Sequence, residues 1–152
     1  MRPSDRLVEL KIDLPAITAP VGSYVPALRS GRHIFTSGQL PIRDGKLLYA
    51  GKVPQDVSVE EATEGARIAI LNGLAAAAQV AGGIDAITQI VRVGIFVNSG
   101  AGFTKQPTVG NGASDLLVEI FGEAGKHVRA AVGVAELPLN AAVEVELIVE
   151  VS

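Results

Sequence analysis

The chain has 152 residues, a formal net charge of −3, and 48% hydrophobic against 19% charged side chains, enough apolar surface for one core and too little charge for a disordered chain. Cysteine is absent and histidine occurs twice, which excludes disulfides, thiolate chemistry and cysteine-based metal sites and leaves little for a histidine-rich one. The acidic balance and the scatter of 13 Lys and Arg argue against a nucleic-acid surface. Residues 1–14 hold no continuous apolar run, and the Ala-rich stretch is broken by Asn72, Gly73 and Gln79. A single soluble, cytoplasmic domain without signal peptide or bilayer span is therefore expected over 1–152.

In chain order, Ser4 is placed to cap a short leading helix over about 4–11, stopped by Pro15. Residues 24–28 and 33–37 read as a hairpin across Ser30-Gly31, and Asp44-Gly45 turns into a third strand at 47–53. Ser58-Val59-Glu60-Glu61 is a capping box that opens a long helix ending at Gly82-Gly83. Along it Ala62, Ala66, Ala69, Ile70, Gly73, Leu74 and Ala77 recur at helical spacing, a face of small residues for packing on a sheet. A strand follows over 86–97, then a second helix from about Pro107 to Gly122, carrying Ala113, Leu116, Leu117, Ile120 and Phe121. The last strands are 128–135 and 142–151. The order βββ-α-β-α-ββ predicts an α+β fold in which a mixed six-stranded sheet carries two main helices on one face.

The alternation Val143-Glu144-Val145-Glu146-Leu147 puts both carboxylates on one face of the last strand. Two helices cover only one side of such a sheet, so the other side is expected to meet a further copy of the chain. The fragments Gly100-Ala101-Gly102 and Gly110-Asn111-Gly112 lack the third glycine of a dinucleotide loop and read as turns. Arg129 opens a strand followed by Ala130, Ala131 and Val132, where a guanidinium needs an anion. Two readings stand side by side: an ion pair with Glu144 or Glu136, or a fork for a ligand carboxylate. His33 and His127 read as isolated surface or structural histidines, which disfavours ribonuclease chemistry.

Ala19-Pro20-Val21-Gly22-Ser23-Tyr24, Phe35-Thr36-Ser37-Gly38-Gln39-Leu40-Pro41, Arg129 with Val134-Ala135-Glu136-Leu137-Pro138, and Val143-Glu144-Val145-Glu146, in this order, resemble the YjgF or reactive intermediate deaminase (Rid) family, also called endoribonuclease L-PSP. The likeness runs over about 19–151. It implies a chorismate-mutase-like fold, a homotrimer with clefts between neighbours, and hydrolysis of 2-enamino and 2-imino acids such as 2-aminoacrylate to 2-oxo acids and ammonia, with neither cofactor nor metal. By this resemblance Arg129 holds the substrate carboxylate and Glu144 handles the hydrolytic water. Tyr24, Ser37, Gly38 and Gln39 line the cleft, and Ala131 contributes its backbone carbonyl. A small-carboxylate-binding regulatory trimer without turnover is the alternative, and a ribonuclease or translation inhibitor a weaker one. Where many relatives have Pro-Ala-Arg-Ser, this chain has His127-Val128-Arg129-Ala130. Additional backbone is expected at 47–54 and 102–114, at the rim of the cleft.

Overall fold

The capping box predicted at Ser58 forms in full. In a computed structural model describing residues 1–17 and 22–152, the Ser58 hydroxyl accepts from the Glu61 amide at 3.0 Å and the Glu61 carboxylate accepts from the Ser58 amide at 3.0 Å. From this cap the main helix, α2, runs over Val59–Ala81 and stops at Gly82, whose φ of +89° suits the left-handed helix stop that glycine adopts at least cost. A shorter α1 precedes it at Pro3–Glu9 and α3 follows at Gln106–Phe121.

The strands are β1 (Ala27–Ser30), β2 (His33–Thr36), β3 (Ile42–Arg43), β4 (Lys46–Leu47), β5 (Ile87–Asn98), β6 (Val128–Val134) and β7 (Val143–Val151). The main sheet has the order β1-β2-β7-β5-β6, with β5 and β6 parallel and the other pairs antiparallel. It is thus the expected mixed sheet with α2 and α3 on one face, although it has five strands rather than six. The missing member is the predicted third strand. Residues 42–47 fold into their own small ribbon, β3-β4, around Asp44 and Gly45, both with positive φ. This segment is tied to α2, because the Asn72 side-chain amide donates to the Leu40 and Ile42 carbonyls at 3.1 and 2.9 Å. From there to Val53 the backbone makes single bridges, Ala50 to Ala141 and Val53 to Ser99, instead of a ladder.

Ser4 does not cap α1. Arg2 takes the cap position with Pro3 in the first turn, and Asp5 accepts from the Arg2 amide at 3.3 Å. Ser4 instead joins distant chain: its amide and hydroxyl donate to the two Asp85 carboxylate oxygens at 2.8 and 2.6 Å, and these bonds hold the Asp85 carboxyl below its usual range. The helix ends by Leu10, five residues before Pro15, where Lys11 takes a positive φ.

Ile34, Ile70, Leu74, Ile90, Ile95, Leu116, Leu117, Ile120 and Leu147 are each less than 2% exposed and fill the layer between helices and sheet. The core is aliphatic, as the composition implied. A Cβ on Gly112 would collide with the Thr63 carbonyl, so α3 crosses α2 with backbone against backbone. That close crossing fixes where the first half of α3 lies over the β5–β6 edge. On the side away from the helices, β7 places Glu144, Glu146, Ile148 and Glu150, while Leu28, Phe35, Val128 and Val132 stay exposed. No helix among the described residues is long and apolar enough to cross a membrane.

Candidate functional site

Two clusters hold the residues singled out by the sequence, and they lie on opposite faces of the sheet. The first is built where β2 leaves the ladder. Ser37 donates through its amide to the Pro26 carbonyl at 2.8 Å and through its hydroxyl to the Val25 carbonyl at 2.6 Å. Two residues on, Gln39 bridges to β7 by paired backbone bonds with Val145 at 2.7 and 2.9 Å. Between them Gly38 lies directly against Glu144: a Cβ there would stand 2.8 Å from the Glu144 carboxyl carbon and 3.1 Å from its Oε1. Only glycine leaves the carboxylate its place.

Glu144 itself is half-buried, and burial, seconded by the like charge of Glu146, pushes its carboxyl above the ordinary glutamate range. Among the described residues it has neither ion pair nor hydrogen bond, whereas Glu146 is paired with Arg92 at 3.4 Å. Tyr24 precedes the Val25–Ser37 tie and is 56% exposed, with its ring over Gly22. Gln39 turns the other way: its side chain packs toward Gly73 of α2, and its amide donates back to the Ser37 carbonyl at 3.2 Å. The preceding motif residues Ala19, Pro20 and Val21 lie outside the described residues.

The second cluster lies on the helix side of β6, the edge strand. Arg129 pairs in register with the buried Val93 and reaches along α3. Its Nη1 donates to Asn111 Oδ1 at 3.0 Å and Ser114 Oγ at 3.1 Å, and its Nη2 to the Pro107 carbonyl at 3.4 Å. All three acceptors are neutral, and among the described residues nothing accepts from Nε. Neither carboxylate weighed as its partner takes that place: Glu136 stands by Lys52 at 3.6 Å, and Glu144 is on the other face. The guanidinium is therefore oriented without being neutralised, with its Nε–Nη2 edge left for an anion. Ala131 follows on the same strand, half-buried and opposite Ile95. Of the two segments expected to carry extra backbone, 102–114 reaches this cluster through Pro107, Asn111 and Ser114, and 47–54 packs against Ser99 and Ala141 instead.

His127, read from the sequence as a surface or structural histidine, is held at both ring nitrogens. Its Nε2 meets Ser114 Oγ at 2.9 Å and its Nδ1 meets the Gly125 carbonyl at 2.6 Å. Together with Asn111, Val118, Lys126 and Arg129 these residues line one open groove. His33 is far from it, beside Glu150 at 3.7 Å on the other face and three strands away. No group of three or more His, Asp or Glu among the described residues could hold a metal ion.

A family model described as "YjgF/chorismate_mutase-like, putative endoribonuclease" matches residues 4–151. The chain belongs to this YjgF family. Among its relatives, Protein TCP17 of Trypanosoma cruzi is 41% identical over 99% of this chain and 95% of its own. A solved structure from Shewanella oneidensis MR-1, described in the same endoribonuclease terms, is 39% identical, with a TM-score of 0.95 over 99% of this chain and 100% of that one. More distant is the 2-iminobutanoate/2-iminopropanoate deaminase of Dermatophagoides farinae, 28% identical over 91% of this chain and 93% of that protein. The YjgF fold thus extends over this whole chain, leading helix included.

Proposed function

We propose that this YjgF-family chain is a hydrolytic deaminase of small 2-enamino and 2-imino acids, working in clefts between copies of itself. The observation that carries the reading is Arg129, a cation on an edge strand whose acceptors are all neutral and whose Nε–H and one Nη2–H have no described partner. A planar two-donor edge matches a carboxylate, and the named deaminase relative acts on such acids. The second half of the machinery, Glu144 against Gly38 with Ser37 next to it in the chain, is across the sheet and β5 separates the two strands. Adjacent strands are about 4.8 Å apart, so these two stand two such spacings apart with their clusters facing opposite ways, and one chain cannot bring both to one small acid. A neighbouring copy can, and the apolar face of Leu28, Phe35, Val128 and Val132 is where it would seat. The trimer implied by the sequence resemblance meets this requirement.

The chemistry then needs little. Arg129 fixes the substrate carboxylate, which sets the adjacent iminium carbon in place. Glu144, whose environment favours holding a proton, takes one from water as the oxygen attacks that carbon and returns it to nitrogen; as the C–N bond breaks, the hydroxyl proton of the tetrahedral intermediate passes back to Glu144, the oxygen becomes the carbonyl of the 2-oxo acid and ammonia leaves. The Ala131 carbonyl is assigned to the substrate nitrogen. No step calls for a metal or cofactor. A two-histidine ribonuclease mechanism finds no support, since His33 and His127 sit on opposite faces.

To test this, 2-aminoacrylate is generated in situ by a dehydratase and its decay followed with and without the protein. Acceleration that disappears in Arg129→Ala, with the assembly unchanged, is the expected result. No acceleration over buffer overturns the reading. Raised melting temperature with 2-oxobutyrate but no acceleration identifies a binder without turnover.

A further inference from the structure

The groove beside Arg129 contains a hydrogen-bond chain that has one direction when the His127 ring is neutral. The Gly125 carbonyl can only accept, so His127 Nδ1 carries the proton in that 2.6 Å bond. In the neutral ring Nε2 is then a bare acceptor, and the Ser114 hydroxyl must donate to it at 2.9 Å. With its hydrogen so committed, Ser114 Oγ has only lone pairs left, and one of them receives Arg129 Nη1 at 3.1 Å. Donation runs one way: Arg129 to Ser114 to His127 to the 125 carbonyl.

We propose that Ser114 and His127 are positioning residues for Arg129, holding its Nε–Nη2 edge toward the ligand carboxylate. The inference rests on the anion-fork reading of Arg129 and adds what keeps that fork aimed. A serine inside a helix ordinarily donates its hydroxyl hydrogen to the carbonyl four residues earlier, here that of Gly110. His127 competes for that hydrogen and turns the oxygen's lone pairs to the guanidinium. Asn111 Oδ1 and the Pro107 carbonyl complete the cradle, so a side chain that carries large rotamer freedom is ordered before any ligand arrives. The histidine stands where the sequence departs from the common Pro-Ala-Arg-Ser pattern, and 102–114, one of the two segments expected to carry additional backbone, supplies Arg129's three contacts.

The experiment compares wild type with Ser114→Ala, His127→Ala and His127→Gln, the last keeping an acceptor oxygen near the Nε2 position. Guanidinium nitrogen resonances of Arg129, identified by their loss in Arg129→Lys, report hindered rotation. In wild type and H127Q separate Nη signals are expected, and in S114A and H127A averaged ones. In parallel, binding of 2-oxobutyrate weakens about tenfold in S114A and H127A and stays within threefold in H127Q. For the imine reaction KM rises with kcat within twofold, since a carboxylate anchor acts equally on ground and transition states. Melting temperatures within a few degrees of wild type certify the fold of each variant. Averaged signals in wild type, unchanged signals in H127A, an H127Q as impaired as H127A, or a loss confined to kcat would each overturn the proposal. If wild type neither binds 2-oxobutyrate nor consumes imine while the resonances behave as described, the deaminase reading fails and the positioning of Arg129 stands.

Discussion

Arg129→Lys keeps the positive charge and removes the fork, which makes it the sharpest probe of how the site grips its ligand. In the structure Asn111 and Ser114 take both hydrogens of Nη1 and Pro107 takes one of Nη2, leaving Nε–H and one Nη2–H free. An ammonium has three hydrogens in all; two directed to Asn111 and Ser114 leave one for a ligand where the guanidinium offers two. One charge-assisted hydrogen bond is worth about 1.5–3 kcal/mol. The expected loss is therefore roughly 10- to 150-fold in KM for the imine or in Kd for 2-oxobutyrate, with kcat changed far less. Isothermal titration and the dehydratase-coupled assay measure both, alongside a melting curve, which should move little because all three of Arg129's partners are partly exposed or backbone groups. A lysine variant within threefold of wild type in both Kd and KM would show that charge alone suffices and refute the bidentate argument.

Gly38→Ala puts a methyl carbon 2.8 Å from the Glu144 carboxyl carbon and forces that side chain aside; imine hydrolysis should fall at least tenfold while urea unfolding shifts by only about 1 kcal/mol, since the displaced group is the far end of a half-exposed side chain. Burial raises the Glu144 carboxyl, so the native state holds that proton more tightly than the unfolded chain. The stability of wild type relative to Glu144→Gln should accordingly decline as pH rises out of the ordinary glutamate range and then level off; a flat or rising difference in urea unfolding across pH 4–8 contradicts this. Ser58→Ala removes the acceptor for the Glu61 amide at the start of α2 and should cost about 1 kcal/mol in the same assay without changing ligand affinity. Phe35→Glu and Val132→Glu, at 41% and 45% exposure on the face opposite the helices, should lower the mass found by sedimentation and abolish hydrolysis together; active monomers would exclude a shared cleft.

Local chemistry was legible wherever neighbours in sequence are neighbours in space. The Ser58–Glu61 box and Gly82 bound α2 because a cap is satisfied within one turn, and the alternation in 143–151 assigns each side chain of β7 to a face because the pleat has period two. Arg129 was conspicuous for the same reason, a lone charge in an apolar strand. The third strand misled: the apolar content of 47–53 suits a strand, yet Tyr49 and Gly51 take positive φ, which breaks the extended run and leaves single bridges at Ala50 and Val53. Ser4 was misplaced for a similar cause, its cap-forming groups being taken by Asp85.

By itself, then, the amino-acid order determined the limits of α2, the faces of β7, the aliphatic core and which ionisable side chains stand out. Tertiary structure alone decided their company. It set Arg129 and Glu144 on opposite faces, gave the cation neutral partners in place of a carboxylate, and joined His127 to Ser114 across 13 positions of chain. The reason is range: caps and pleats are settled by contacts a few residues apart, whereas the partner of a side chain at a sheet edge depends on how α3 crosses α2, where Gly112 meets the backbone of Thr63, a residue of the other helix and distant in sequence.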